Sequence, residues 1–512
     1  MAEKSRRDFL RLAVSGIGGT AFVGWPAQSA LDVRSFGAVG DGIALDTAAV
    51  NRAIAAAACA GGGIVRFPRG TYACHSIRLQ SNVALRLDRQ ATIVAAPAGG
   101  YDAAEPNPWH RYQDFGHSHF HNSLIWGEGL HDVAILGPGR IWGKGLSRDS
   151  IPIDGAPSAL APGAGDKAIA LKNCSNVTLR DFEVLAGGHF AILATGVDDL
   201  LVDNLTIDTN RDGIDIDSCR RVRIANCRVN SPHDDSICLK SSLALGRPRA
   251  TEDVTIRNCY VTGGYRVGAL LDGSGHLLGE SAQQVDEREC MMGRIKLGTE
   301  SNGGFRNIRI ENCVCERSLG LAFEAVDGGD LENVVVSGVT LRDIYGPPIF
   351  VRLGARLRGP AGIKVGALQG LAISGLTCRG PDNCGAAIIS GIPGHRVADI
   401  SLRDVDLLLE GGGVKPLAAV IPPEKDRVYP ETDMFGPLPA QGLFARHVRN
   451  LDLSRVAFHS VRPDARPVIW LDDVQGARFS DLRMPPGLTA PAVFRADLNH
   501  ALVSGLSRKR AR

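Results

Sequence analysis

The sequence predicts an all-β chain wound as a right-handed parallel β-helix, with a capping helix at its N-terminal end. Three observations carry this expectation. First, a nine-residue pattern recurs: Asn or Asp, apolar, any, apolar, any, Asn/Asp/Gly, apolar, any, apolar. Its copies include NVTLRDFEV (176–184), DLLVDNLTI (199–207), RVRIANCRV (221–229), DVTIRNCYV (253–261) and NIRIENCVC (307–315). NVVVSGVTL (333–341), GLAISGLTC (370–378) and DISLRDVDL (399–407) follow, with weaker copies at 450–458 and 476–484. Second, the alternation has period 2, so each copy reads as strand, turn, strand. Third, the copies at 176, 199 and 221 start 23 and 22 residues apart. A β unit of that length cannot bury its apolar face alone, but a stack of such units can. Successive coils would then lie about 4.8 Å apart in parallel register. A Greek-key sandwich would need pairs of hairpin turns, which the sequence lacks.

The register makes detailed expectations. Cys227, Cys259 and Cys313 occupy one position of the repeat, filled by Leu205, Val339 and Leu376 in other copies. They are expected to stack inward as small apolar side chains. Asn204, Asn226, Asn258 and Asn312 share the preceding position and are expected to form a hydrogen-bonded ladder satisfying buried backbone groups at one turn. Twelve cysteines in 512 residues do not make a disulfide scaffold. Cys313-x-Cys315 and the Cys378/Cys384 pair lack the CxxC spacing of a zinc site.

The stretch DTAAVNRAIAAAACA, from Asp46 to about Ala60, reads as the one clear helix, with Asp46 as N-cap. It precedes the first coils and is expected to cover the open end of the solenoid. Segments 95–125, 140–168 and 409–447 read as long loops. Residues 5–30, SRRDFLRLAVSGIGGTAFVGWPAQSA, pair Arg6-Arg7 with an apolar stretch and a small-residue site, as a twin-arginine export signal does. The expected organisation is a signal peptide over 1–30 and a single β-helix domain over 31–512, acting in the periplasm or outside the cell. With 57 basic and 55 acidic residues, the balance points to neither nucleic acid nor a strongly anionic surface as partner. After the N-terminus, no apolar run is long enough to cross a bilayer.

The chemistry concentrates in NRDGIDIDSCRRVRIANCRVNSPHDDSICLKSS, residues 210–242. Asp212 and Asp234 are 22 residues apart, one coil by the repeat, so they are expected to stack with Asp235 beside them. Stacked carboxylates repel and raise at least one pKa, so they persist where a function or a cation requires them. In GRIKLGTESNGG (293–304), Arg294 and Lys296 are two apart and can project from a strand into one groove. There, Arg can grip a carboxylate in two places while Lys supplies a point charge. Glu300 either joins that groove or pairs with a base.

Several motifs resemble family 28 of the glycoside hydrolases, the polygalacturonase-like pectin-degrading enzymes. DVRSFGAVGDGIALDTAAVNRAI and GGGIVRFPRGTY are similar to its N-terminal segment. NRDGIDI resembles its Asn-Thr-Asp-Gly motif, HDDSICLKSS its Asp-Asp motif, and GRIKLGTESNGG its Arg-Ile-Lys motif, in the right order from about 31 to 350. The resemblance implies inverting hydrolysis, in which an acid protonates the leaving oxygen while carboxylates activate water. Carried over, Asp234 is the acid, Asp235 its partner, and Asp212 orients or deprotonates the water. Arg294 and Lys296 bind an acidic plant-type saccharide, with Asn210 and Lys240 close by and no cofactor or metal required. The family commonly has Gly-His-Gly in the next coil, where this chain reads GGYRVGALLDGS with Tyr265. Tyr265 can hydrogen-bond a sugar, but its ordinary pKa of about 10 bars it from carrying protons near neutral pH. This departure points to a divergent exo-acting enzyme or to a different pectic or rhamnose-containing linkage. His233 beside the Asp pair is a candidate to compensate; His276 is off register. His117, His119 and His121 read as part of a groove-lining loop rather than a metal tract. Two rivals share the architecture: a polysaccharide lyase, with Ca²⁺ held by the carboxylates and a basic residue as proton acceptor, and a carbohydrate-binding solenoid without catalysis.

Overall fold

A computed structural model describes residues 30–149, 152, 157–278, 291–380 and 384–495. The export signal expected over 1–30 lies, but for its last residue, outside the described residues. The described residues wind into one right-handed parallel β-helix whose 36 strands join in a single sheet. The alternation of the repeat explains why. Each nonapeptide supplies one strand, a corner and the start of the next strand. Its apolar positions point inward, where only the coils above and below can cover them.

Three faces result. The first stacks Lys167–Lys172, Phe190–Thr195, Asp212–Asp217, Ile237–Ser241, Ile295–Ser301 and Leu319–Ala325. The second stacks Ser175–Arg180, Asp198–Asp203, Arg220–Ala225, Thr251–Arg257 and Phe305–Glu311. The third is made of three-residue strands such as Thr206–Asp208, Arg228–Asn230 and Tyr260–Thr262. Inward side chains align along the axis. Ile192, Ile214, Ile237 and Ile295 form one column, and Val202, Ile224, Ile256 and Ile310 another, all buried. Cys227, Cys259 and Cys313 are buried free thiols at a common register position, as the repeat suggests.

The asparagine positions have a different physical basis from the one expected. Asn204, Asn226, Asn258 and Asn312 are exposed, and their φ angles are 54°, 57°, 54° and 53°. The residue that opens each copy is also left-handed: Asp199, Arg221, Asp253 and Asn307 have φ of 56–57°. Each strand of the second face thus runs between two left-handed corners, five residues apart. Asn and Asp tolerate that conformation better than other non-glycine residues. Ladder bonds do run along the corner, from Asn204 to Asp181 and from Asn226 to Asp203, each 2.7 Å, but in solvent.

The helix Thr47–Cys59 is the one α-helix among the described residues. It lays Val50, Ala53, Ile54 and Ala57 onto the first coils. Asp46 stands at its N-cap position, but its carboxylate turns away from the helix. It accepts from the backbone nitrogens of Val39 at 2.6 Å and Gly40 at 3.1 Å, tying the preceding turn. Two 3₁₀ turns, His110–Tyr112 and Phe115–His117, interrupt the first long loop. The loop expected over 409–447 is shorter, because the strands Val397–Gly411 and Leu443–Arg462 extend into it.

The corner geometry has a measurable consequence. Asn226→Val places a β-branched residue at φ 57° in solvent, so urea unfolding should show a loss of about 1–2 kcal/mol. Asn226→Gly should stay within about 0.5 kcal/mol of the parent.

Candidate active site

The first face carries the acidic cluster. Asp212 opens its strand, and Asp234 and Asp235 end the turn that feeds the next one. Oxygens from the three lie within 4.8 Å of one another. The register differs from a simple 22-residue step. Asp208 pairs with Asn230, but Ile214 pairs with Ile237, so the turn between them holds one extra residue. Asp212 therefore neighbours Asp235 along the axis, where the Gly213 nitrogen donates to the Asp235 carbonyl at 3.0 Å, and Asp234 projects beside them.

Cations grip the cluster from two sides. Arg294 Nε donates to Asp235 Oδ1 at 2.7 Å, and Lys296 Nζ lies 3.4 Å from Oδ2. Arg211 bridges Asp234 at 2.9 Å and Asp149 at 2.6 Å. Burial alone would raise the Asp235 carboxyl, but Arg294, then Lys296 and Lys240, outweigh it and hold the pKa at about 2. Asp212 moves the other way. Its burial, with the charges of Asp215 and Asp234 adding to it, pushes its pKa well above the usual carboxylate range. Burial likewise raises Asp215, against the opposing charge of Lys240 3.6 Å away. One carboxyl with a lowered pKa and two with raised pKa values thus share a small volume. Burial would discharge Lys296, but Asp235 and Glu324 keep it charged.

Asp215, in the same acidic stretch, is a site residue that the motifs alone do not mark. The signal that marks it is period 2: a carboxylate inside a strand, on the row facing away from the core. That row runs Leu193, Asp215, Cys238, Lys296, Ala322 along successive coils. Other contributors come from loops, where no periodicity marks them. His117 reaches in from the Phe115–His117 turn, with Nε2 3.8 Å from Asp215. Tyr429 lies over the cations, its hydroxyl 3.4 Å from Lys296 Nζ and its ring 5.4 Å from the Arg356 guanidinium.

The remaining expected residues divide. Lys240 lies between Asp215 and Glu300, 3.6 Å from each, so Glu300 pairs with bases, Arg356 among them. Asn210 flanks the cluster, and its carbonyl accepts from the His233 nitrogen at 3.1 Å. His233 itself is exposed on the turn. Tyr265 faces elsewhere: its hydroxyl meets Tyr260, which in turn bonds Glu316 on the neighbouring face. The coil after the Asp pair therefore brings no side chain to the carboxylates from that position. His276 lies on the exposed surface of the same loop. His119 and His121 point away from His117, to the Glu105 carbonyl and the Glu128 carboxylate. The cluster is enclosed rather than set in an open trough: Asp212 is 3% exposed and Asp235 1%, while the Asp234 side chain keeps 21%. Two surface cavities lie away from it, one of about 830 Å³ bordered by Arg34, Arg66 and Arg89, the other of about 400 Å³ beside Trp109.

Fold and site together define a parallel β-helix protein of the pectinase type, with clustered carboxylates facing paired cations. Residues 162–277 match the family described as "Right handed beta helix region", and residues 30–97 the one described as "Rhamnogalacturonase A/epimerase, pectate lyase-like". The chain is 26% identical over 326 residues to the "Probable polygalacturonase" of Vitis vinifera, covering 60% of either protein. The chain thus spans about 60% of the length of that curated relative. Among solved structures, the exopolygalacturonase of Thermotoga maritima superposes with a TM-score of 0.59 at 18% identity, covering 84% of this chain and 91% of that one. The family 28 exopolygalacturonase of Yersinia enterocolitica gives 0.54 at 17%, covering 92% and 79%. The chain thus has the right-handed β-helix fold and is similar to polygalacturonase-like proteins.

The raised Asp212 carboxyl makes a pH prediction. In the folded state it keeps its proton where the unfolded chain, near 3.8, has lost it. Its stabilising contribution is complete below that value and fades as pH rises through the higher folded value. Asp212→Asn, neutral throughout, loses nothing. Thermal unfolding should find the variant more stable than the parent by on the order of 1–2 kcal/mol at about pH 8, with the gap closing toward about pH 4.

Proposed function

We propose that the protein is a glycoside hydrolase that cleaves pectic poly- or oligosaccharides, galacturonate- or rhamnose-containing, with inversion. One arrangement carries this reading: Asp235, paired with Arg294 and Lys296, lies within 4.8 Å of Asp212, whose burial raises its pKa, and of Asp234, the most exposed of the three. Hydrolysis needs both states in one place, a proton for the leaving oxygen and a charged oxygen for the water.

Roles follow from exposure and charge. Asp235 is fixed as an anion and sits beside Asp212, so the two hold the water. Oxygens up to 4.8 Å apart can both accept from one water at about 2.8 Å. Asp234 delivers the cluster's proton to the leaving oxygen, since it alone of the three has substantial contact with solvent. The titration belongs to the cluster, which redistributes the proton after each turnover. Arg294 turns Nε to Asp235, while Nη1 and Nη2 have no hydrogen-bond partner among the described residues. That pair of donors suits a uronate carboxylate. The likeness to the probable polygalacturonase of Vitis vinifera and the family resemblance support the same substrate class.

A metal-dependent lyase is the second reading, because three clustered carboxylates are also a cation site by geometry. Charge disfavours it. Three cations already stand against the cluster, Arg211 at Asp234 and both Arg294 and Lys296 at Asp235. A dication would have to be brought up against them.

Asp234→Asn should lower turnover of pectic oligosaccharides by roughly 10²–10⁴-fold with unfolding unchanged, as product mass spectrometry would show. Full activity in this variant would overturn the assignment and favour a binding protein. Wild-type products should add one water per cleavage, absorb no ultraviolet light as unsaturated sugars do, and form equally in EDTA. The usual inverting carboxyl separation is about 6.5–9.5 Å, wider than this cluster, so the anomer first formed, read by proton NMR, is the sharpest test of the stereochemical part.

We also propose that residues 1–30 direct twin-arginine export, on the strength of Arg6-Arg7 and the apolar stretch after it. Arg6→Lys with Arg7→Lys should leave the full-length chain in the cytoplasm on cell fractionation; unchanged export would refute this.

A further inference from the structure

Within the same enclosure, His117 has no structural bond to explain it. It ends the Phe115–His117 turn and is 4% exposed. Neither ring nitrogen has a hydrogen-bond partner among the described residues. A buried imidazole ordinarily has at least one nitrogen engaged, since both have been taken from water. The neighbouring histidines comply: His119 Nδ1 lies 2.6 Å from the Glu105 carbonyl and His121 Nε2 2.8 Å from Glu128.

His117 faces Asp215, with Nε2 3.8 Å from Oδ2. That is too long for a direct hydrogen bond. Both Asp215 oxygens also lack a hydrogen-bond donor among the described residues, as does Asp212 Oδ1. The imidazole cannot easily turn away. It packs edge-on against Phe190 with ring centroids 4.9 Å apart, and Phe190 is the register neighbour of Asp212. The other charged or titratable groups around it are Lys240, Glu300, His189 and Lys167. Burial, then the Lys240 charge, drives its pKa well below the ordinary 6.5, so the ring is neutral, with one N–H and one lone pair.

The geometry points to a hydroxyl-recognition site formed by His117 and Asp215, which holds a sugar on the N-terminal side of the carboxylate cluster. An oxygen about 2.8 Å from both groups closes a triangle on their 3.8 Å base. A sugar hydroxyl there both donates and accepts, which matches a neutral imidazole opposite a carboxyl group. The enclosure is then divided by chemistry, with hydroxyls read at His117 and Asp215, and a carboxylate at Arg294 beyond the cluster. His117 becomes a residue that touches substrate, delivered by a loop rather than by a coil. That the ligand is a sugar rests on the hydrolase reading; the donor–acceptor geometry does not.

The test is a binding measurement that needs no turnover. Calorimetry would compare digalacturonate with analogues each lacking one hydroxyl, on the Asp234→Asn protein and on the same protein carrying His117→Phe or His117→Gln. Phe keeps the ring packing and removes both nitrogens; Gln restores a donor and an acceptor. One deoxy analogue should bind the His117 protein on the order of 10–100-fold more weakly than the parent sugar. The Phe variant should bind that analogue and the parent alike, and Gln should recover part of the difference. Equal affinities for parent and every analogue, whichever residue is at 117, would overturn the site and leave His117 merely hydrated. Failure of the full panel to bind would overturn it as well. If hydrolysis fails while the discrimination persists, the hydrolase reading falls and the hydroxyl site stands.

Discussion

Everything in this molecule depends on the axial registration of its coils. Inward apolar columns such as Ile192, Ile214, Ile237 and Ile295 fix the height and phase of each turn. Once those are fixed, the outward residues have no freedom either. Asp215, Cys238 and Lys296 are adjacent because Ile214, Ile237 and Ile295 are. The row of carboxylate and cation is thus a by-product of core packing, displaced by one residue. A shift of a single position would turn the carboxylate row into the core and the isoleucines into the groove. Two left-handed corners per coil on the second face guard that phase, and they explain the Asn and Asp of the repeat better than side-chain bonding does.

The second constraint is electrostatic. Fully buried charges are tolerated only when paired, and the site pairs them unequally. Asp235 receives two cations and ionises readily. Asp212, one coil away along the axis, has no cation in contact among the described residues, and burial raises its pKa. Environment alone separates two chemically identical groups, and acid–base catalysis requires that separation. The price is stability: a protein optimised only to fold would replace Asp212 and Asp215 with neutral residues.

How much of this was legible in the sequence depends on periodicity. The nonapeptide showed the solenoid, the cysteine stack and the coil that brings Asp212 to the Asp pair, because β alternation and coil length are written directly into residue spacing. The extra residue before Ile237 was not legible, since a one-residue insertion in a turn leaves the flanking repeats intact. It changed which carboxylate neighbours Asp212. Asp215 was readable in principle, as a charged residue on the outward row of a buried strand. The loop of His117 was readable as groove-lining, though not its facing partner Asp215; Tyr429 and Arg356 were not, because their loops carry no period and fold back from far along the chain. Tyr265 misled for the opposite reason. Its position in the motif order suggested the groove, but its side chain turned to Tyr260 on the adjacent face.

That contrast separates two ways of building specificity. The coils supply what must not move: Asp212 and Lys296 on strands paired on both sides, and Asp234, Asp235 and Arg294 in the short segments that lead into such strands. The loops supply what can vary: the Phe115–His117 turn upstream and Tyr429, 133 residues after Lys296. A substituted loop residue changes which sugar fits without disturbing the phase of the core, whereas a substituted coil residue disturbs both. The enclosure seen here is made by those loops, since the strands alone would leave Asp212 and Asp235 on an open face. A closed pocket admits the end of a chain more easily than its middle. On the proposed hydrolase reading, the preference between terminal and internal cleavage is therefore set by segments that contribute little to the core, and it can change while the buried carboxylates stay where the isoleucine columns put them.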